Sequence, residues 1–180
     1  MKRITLAIAL LLLVAGAAPA PTLAGSQKLA PLKTVEHVDL ERYAGTWYEI
    51  SSFPIRFQKG CTATTAVYSI RPDGQLEVVN SCHRDSLDGR RTVVRGHARV
   101  VDRESNAKLK VSFFWPVRSD YWIIDLGSDY EYAVIGHPTR RFVWVLSRTR
   151  TMDPAVYAGI TARLSAQGYD VSRLKVTLQP

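Results

Sequence analysis

The chain has 180 residues, a formal net charge of +8, 46% hydrophobic residues and two cysteines. That length suits one domain with a real hydrophobic core. The basic residues are scattered singly apart from pairs such as Arg90-Arg91 and Arg140-Arg141. This is a solvated positive surface that can contact an anionic membrane, not a nucleic-acid stripe.

Lys2 and Arg3 precede an apolar run from Ile4 to Ala15 and a small-residue stretch from Ala17 to Ala24. This is the layout of a secretory signal peptide over residues 1–24. Gly16 and Pro19 interrupt the run before it reaches the roughly 18 apolar residues of a membrane span. Cleavage after Ala24 is preferred to cleavage after Ala20, which would leave Pro21 first. No cysteine precedes Cys61, so the acylation site of a bacterial lipoprotein is missing. The expected product is exported and soluble: periplasmic, associated with the outer membrane or secreted. Removing Lys2 and Arg3 lowers the charge to about +6 over about 155 residues, and export itself argues against a nucleic-acid partner.

Residues 25–38 form a Pro- and Lys-containing lead-in, and 39–180 read as one domain. From Trp47 onward the chain is a series of short alternating segments separated by turn signals. These are Trp47 to Ser52, Thr62 to Ile70, Leu76 to Cys82, Thr92 to Val101, Lys108 to Phe114, Tyr121 to Leu126, Tyr130 to Gly136 and Phe142 to Ser147. Eight alternating strands predict an all-β fold, an up-and-down antiparallel barrel whose closure removes exposed edges. A helix follows, with Asp153 as N-cap, Pro154 at its first position, Gly168 as its stop, and an apolar face of Val156, Tyr157, Ile160 and Leu164. That face predicts packing on the outside of the barrel. Leu174, Val176 and Leu178 predict a short last strand.

Cys61 and Cys82 flank the Pro72-Asp73-Gly74 turn almost symmetrically. If their strands pair as a hairpin, a bulge or loop start near Gly60 brings the two within disulfide range. An oxidising compartment favours the bridge over a reactive thiol.

Gly45-Thr46-Trp47-Tyr48-Glu49-Ile50 resembles the first signature of the lipocalins. Ser128-Asp129-Tyr130 resembles the second, with serine at its first place, and Leu146-Ser147-Arg148-Thr149 resembles the third. Leu109 to Phe114 and Val143 to Arg148 are similar to the bacterial (Blc-like) lipocalins and their plant and apolipoprotein D-like relatives. The resemblance covers residues 36–178. It implies a ligand-holding cup closed at one end. Trp47 would fill that end with Arg148 over its ring, Gly45 would allow a close chain approach, and Asp129 and Tyr130 would lie nearby.

Strand alternation selects the cavity wall. With Arg148 inward, Trp144 and Leu146 follow. Outward Lys110 and Ser112 turn Val111 and Phe113 inward, and outward Asp125 leaves Trp122 and Ile124 inside. Arg95, His97 and Arg99 place Val94, Ala98 and Val100 within, and Ala66 and Tyr68 complete the choice. The resemblance adds weight to Trp144 as a lipid-pocket residue. Such a wall selects an amphiphile, a fatty acid or lysophospholipid carried or stored in the cell envelope. Arg118, in a Trp115 to Tyr121 loop that departs from the bacterial relatives, would pair with its headgroup.

No Gly-x-Ser-x-Gly or His-Glu-x-x-His occurs, and His37, His83, His97 and His137 lack metal-ligand spacing, so neither catalysis nor a metal or cofactor is expected. Some relatives of the family are isomerases or de-epoxidases, which leaves a lipid- or isoprenoid-directed enzyme as the alternative, with Glu49 and Cys82 its only candidates. A pure interaction module is a third class. The expected partner is one lipid molecule per monomer or weak homodimer.

Overall fold

The computed structural model describes residues 29–180, so the proposed signal segment lies outside the described residues. A short helix, α1 (Leu40–Tyr43), leads into β1 (Gly45–Ser52), β2 (Cys61–Ile70), β3 (Leu76–Arg84), β4 (Arg91–Val100) and β5 (Lys108–Phe114). There follow β6 (Val117–Leu126), β7 (Tyr132–Gly136), β8 (Val143–Ser147), α2 (Pro154–Ala166) and β9 (Lys175–Val176). Each strand from β1 to β8 pairs antiparallel with the next, and β8 pairs with β1 to close an eight-stranded barrel. β9 adds outside this cycle. It sits where β1 and β2 part company: their pairing ends at Tyr48↔Thr65, and beyond it Ser51 and Ser52 pair with Val176 and Lys175. Leu178 O accepts from the Ala63 amide and Gln179 Nε2 donates to both Glu49 O and Thr64 O, so the C-terminal segment fills the seam.

Differences from the expected boundaries have local causes. β6 begins at Val117 because Trp115 and Pro116 alone make the turn from β5, with Phe114 already opposite Val117. β7 begins at Tyr132 because Tyr130 adopts a left-handed φ of 61° in the preceding turn. Leu174 is the cap of a 3-10 turn over Val171–Arg173 and not part of β9.

The barrel has two apolar layers. Inside lie Trp47, Ala66, Tyr68, Leu76, Val78, Ala98, Leu109, Ile123, Ile135 and Leu146. Outside, Ile50, Val134, Val143 and Val145 meet Ile160 and Leu164 of α2. Those two helix residues are fully buried, each contributing about 1.5–3 kcal/mol. Asp153 accepts from the amides of Ala155 and Val156, and Gly168 ends α2 at a φ of 85°. The expected helix face is corrected at Val156, which is exposed. Tyr157 takes the first-turn contact instead, its hydroxyl donating to Ser51 Oγ at 3.0 Å. The lead-in also belongs to the packed structure: Leu32 and Val38 are buried, and the Val35 amide donates to Ile123 O.

Candidate ligand-binding barrel

One end of the barrel is sealed by a network centred on Arg148. Its guanidinium carbon stands 3.7 Å from the centroid of the Trp47 ring. Its nitrogens donate to Thr46 O (3.0 Å), Arg42 O (2.6 Å), Tyr43 O (3.3 Å) and Tyr130 O (3.3 Å). Partial burial lowers the guanidinium pKa from its ordinary value, yet a group titrating so high stays charged at neutral pH. Trp47 Nε1 donates to Tyr43 O at 2.9 Å, which fixes the indole across the floor. Gly45 has a φ of 96°, and a Cβ there would stand 3.3 Å from Arg148 Nη1, so glycine satisfies both the backbone and the close approach. Tyr130 Oη accepts from the Asp39 amide, and Arg42 lies over the Tyr130 ring at 4.2 Å. Asp129 sits in the same β6–β7 turn, its amide donating to Glu131.

Above the floor three tyrosines meet. Tyr121 Oη is hydrogen-bonded to Tyr43 Oη at 2.6 Å and to Tyr68 Oη at 2.9 Å. Burial raises all three phenol pKa values, that of Tyr68 to about 12, so the cluster is neutral at physiological pH. Sequence reasoning missed this cluster because it chose Trp122 and Ile124, not Tyr121 and Ile123, for the inner face of this strand.

Of the expected wall residues, Ala66, Tyr68, Ala98 and Leu146 are buried on the inner face, and Val111, Phe113 and Trp144 are partly buried against them. Val94, two residues before Gly96 and four before Ala98, lies on the same side of β4 and is half-buried. Phe113 packs onto Gly96, where a Cβ would meet its ring at 2.6 Å.

Two assignments are corrected. Trp122 and Ile124 do not face the interior; both pack in the outer layer beneath α2 and the lead-in. The cause is a bulge between Ile123 and Asp125. Counting inward from Asp125 fails there, because Ile124 and Asp125 both point outward and the residues before them change phase. Asp125 is held outside by Arg163 of α2 at 2.7 Å, while Tyr121 and Ile123 take the inner positions. Trp122 instead lines an outer cavity of about 630 Å³ with Leu29 to Leu32 of the lead-in. Arg118 lies in β6 and not in a loop, exposed, and two residues from Asp120, whose side chain pairs with Lys110. That places it on the outer face at the rim and not on the wall.

At the other end, a loop of residues 53–60 folds over the opening. Its Gln58 bridges two wall residues: Trp144 Nε1 donates to Gln58 Oε1 at 3.1 Å, and Gln58 Nε2 donates to Glu49 Oε2 at 2.7 Å. Ser52 and Thr177 donate to the other Glu49 oxygen, so this buried side chain is satisfied by neutral donors. A cavity of about 430 Å³ opens beside it, lined among others by Ile55, Lys59, Lys175 and Val176. Nothing in the sequence pointed to Gln58, which lies in a loop without periodicity. Cys61 and Cys82 form a disulfide with Cα atoms 5.4 Å apart, and the β2 irregularity that absorbs their offset lies between Thr62 and Thr65, with Ala63 at a φ of 46°. Cys82 therefore carries no thiol for catalysis. Among the described residues no cluster of histidine, cysteine and acidic side chains could hold a metal.

A family model described as "Lipocalin-like domain" matches residues 38–179. The chain belongs to the lipocalin family. It is 40% identical over 157 residues to temperature-induced lipocalin-1 of Arabidopsis thaliana, covering 82% of this chain and 83% of that protein. It is 38% identical over 146 residues to the outer membrane lipoprotein Blc of Escherichia coli K12, covering 81% and 82%, and 34% identical over 154 residues to mouse apolipoprotein D, covering 80% and 78%. These relatives are named as lipocalins and lipoproteins, not as enzymes. Insecticyanin from the tobacco hornworm Manduca sexta shares the fold with a TM-score of 0.67 at 20% identity, covering 83% of this chain and 85% of that one.

Proposed function

We propose that the barrel binds one amphiphile, a fatty acid or lysophospholipid, tail inward and headgroup at the mouth, and that the protein carries or stores it in the cell envelope. The observation that carries this reading is Trp144. It stands on the inner wall, half-buried, between a floor sealed by Trp47 and Arg148 and the opposite end, where Gln58 of the β1–β2 loop bonds to it. An eight-stranded barrel has an interior just wide enough to be filled by side chains or to hold one small ligand. Burying an acyl chain there contributes about 25 cal/mol per Å² of apolar surface. The disulfide supports an oxidising compartment outside the cytoplasm. Organic extraction of the purified native protein followed by mass spectrometry tests the reading: acyl chains in near-stoichiometric amount support it, and a protein that neither yields nor takes up any lipid overturns it.

A further inference from the structure

The barrel is polarised along its axis. The floor is formed by residues 39–44, 71–75, 101–107, 127–131 and 148–153, which contain eight acidic and five basic side chains. The mouth is formed by residues 53–60, 85–90, 114–118 and 137–142, with Arg56, Lys59, Arg90, Arg118, Arg140 and Arg141 against only Asp85 and Asp88. The most exposed large apolar side chains collect at the same end. Trp115 is 83% exposed, Phe57 81%, and Phe114 and Val117 each 69%. They occupy two tips, the β1–β2 loop and the β5–β6 turn. Strand order sets these on opposite sides of the opening. Val176, 75% exposed, adds to the Phe57 side, where it and Lys175 share a cavity with Ile55 and Arg56.

Aromatic tips of this kind are costly in water unless something covers them, and monomeric proteins seldom expose them in groups. Each tip carries a neighbouring cation: Arg56 and Lys59 beside Phe57, Arg118 beside Val117. An aromatic ring seated at headgroup depth with cations beside it is the pattern that partitions to a membrane–water interface. Two such tips across an opening fix an orientation, which a single patch would not.

We propose that this end is a docking surface for an anionic bilayer, seating the barrel mouth-down so that an amphiphile passes between bilayer and cavity without crossing water. This rests on the proposed lipid-binding function and adds where the lipid is exchanged. The full mature chain is mixed with phosphatidylcholine vesicles and with vesicles also containing phosphatidylglycerol, and sedimentation and Trp115 emission are followed. Co-sedimentation with the anionic vesicles is expected, with a blue shift that Trp115→Phe removes and that added salt weakens. Phe57→Ser/Trp115→Ser and, separately, Arg56→Ser/Arg118→Ser should each lower partitioning on the order of tenfold. The Phe57→Ser/Trp115→Ser variant should keep the wild-type affinity for a fluorescent fatty acid in solution, which separates failure of docking from failure of ligand binding. Wild-type protein that stays in the supernatant with anionic vesicles at low salt overturns the proposal. So does sedimentation that the Phe57/Trp115 variant retains in full.

Discussion

Arg148 and Trp47 are 101 positions apart in the chain and stack at 3.7 Å, the guanidinium covering the indole while its nitrogens tie together four carbonyls from α1, β1 and the β6–β7 turn. The stack joins the first and last strands of the barrel at its floor. Arg148→Ala removes a cation–π contact of about 0.5–2 kcal/mol and takes the guanidinium donors away from those carbonyls, of which Tyr43 O keeps the Trp47 indole N–H. A loss of about 2–3 kcal/mol in denaturant unfolding is expected, with affinity for a fluorescent fatty acid little changed in the folded fraction. Unaltered stability would contradict the floor.

Gly45 makes the same point from the backbone side. Gly45→Ala must hold a φ of 96° with its Cβ 3.3 Å from Arg148 Nη1. The expected cost is about 1–3 kcal/mol, read as a lower Tm. Combined with Arg148→Ala, the two costs should fall short of additive, because the second change removes the crowding that the first creates.

The tyrosine cluster predicts a sensitivity to alkali. Burial raises the folded-state pKa of Tyr68 to about 12 and moves those of Tyr43 and Tyr121 in the same direction, while the unfolded chain ionises near 10. A raised folded pKa means that the stabilising contribution is intact below about pH 10 and is lost as pH climbs toward about 12, at up to about 1.4 kcal/mol per pH unit for each phenol. Unfolding free energies measured from pH 8 upward should fall more steeply for the native protein than for Tyr68→Phe. Parallel curves would show that the cluster does not titrate as described.

The disulfide closes a hairpin whose cysteines are 21 positions apart. Chain entropy assigns such a loop about 3 kcal/mol. Thiol titration of the denatured, unreduced protein should find almost no free thiol, and reduction should lower the Tm; two thiols per chain would contradict the bridge.

The barrel was legible in the sequence because most strands bury one face and wet the other, so alternation carries their register. β6 escaped that logic. Its outer face is roofed by α2 and the lead-in, so Trp122 and Ile124 are apolar on the side away from the cavity. With both faces apolar, only the bulge beside Ile124 sets the phase, and a bulge has no composition of its own. The lead-in hid its role for a related reason: Leu32, Val35 and Val38 pack as an irregular segment with no period to detect. Helix α2 announced itself through Asp153, Pro154 and Gly168, since caps are local chemistry. Gln58 and the β9 seam depend on contacts between distant parts of the chain, and no local pattern records them.

The most direct test of the central claim is a titration of the protein and of Trp144→Ala with a fluorescent fatty acid, each first shown to be folded by circular dichroism. The account predicts saturation at one ligand per chain, competition by lysophospholipid, and an affinity weakened on the order of tenfold in Trp144→Ala, which loses wall area while the floor stays intact. Equal affinity in the two folded proteins would contradict the placement of the ligand in the barrel.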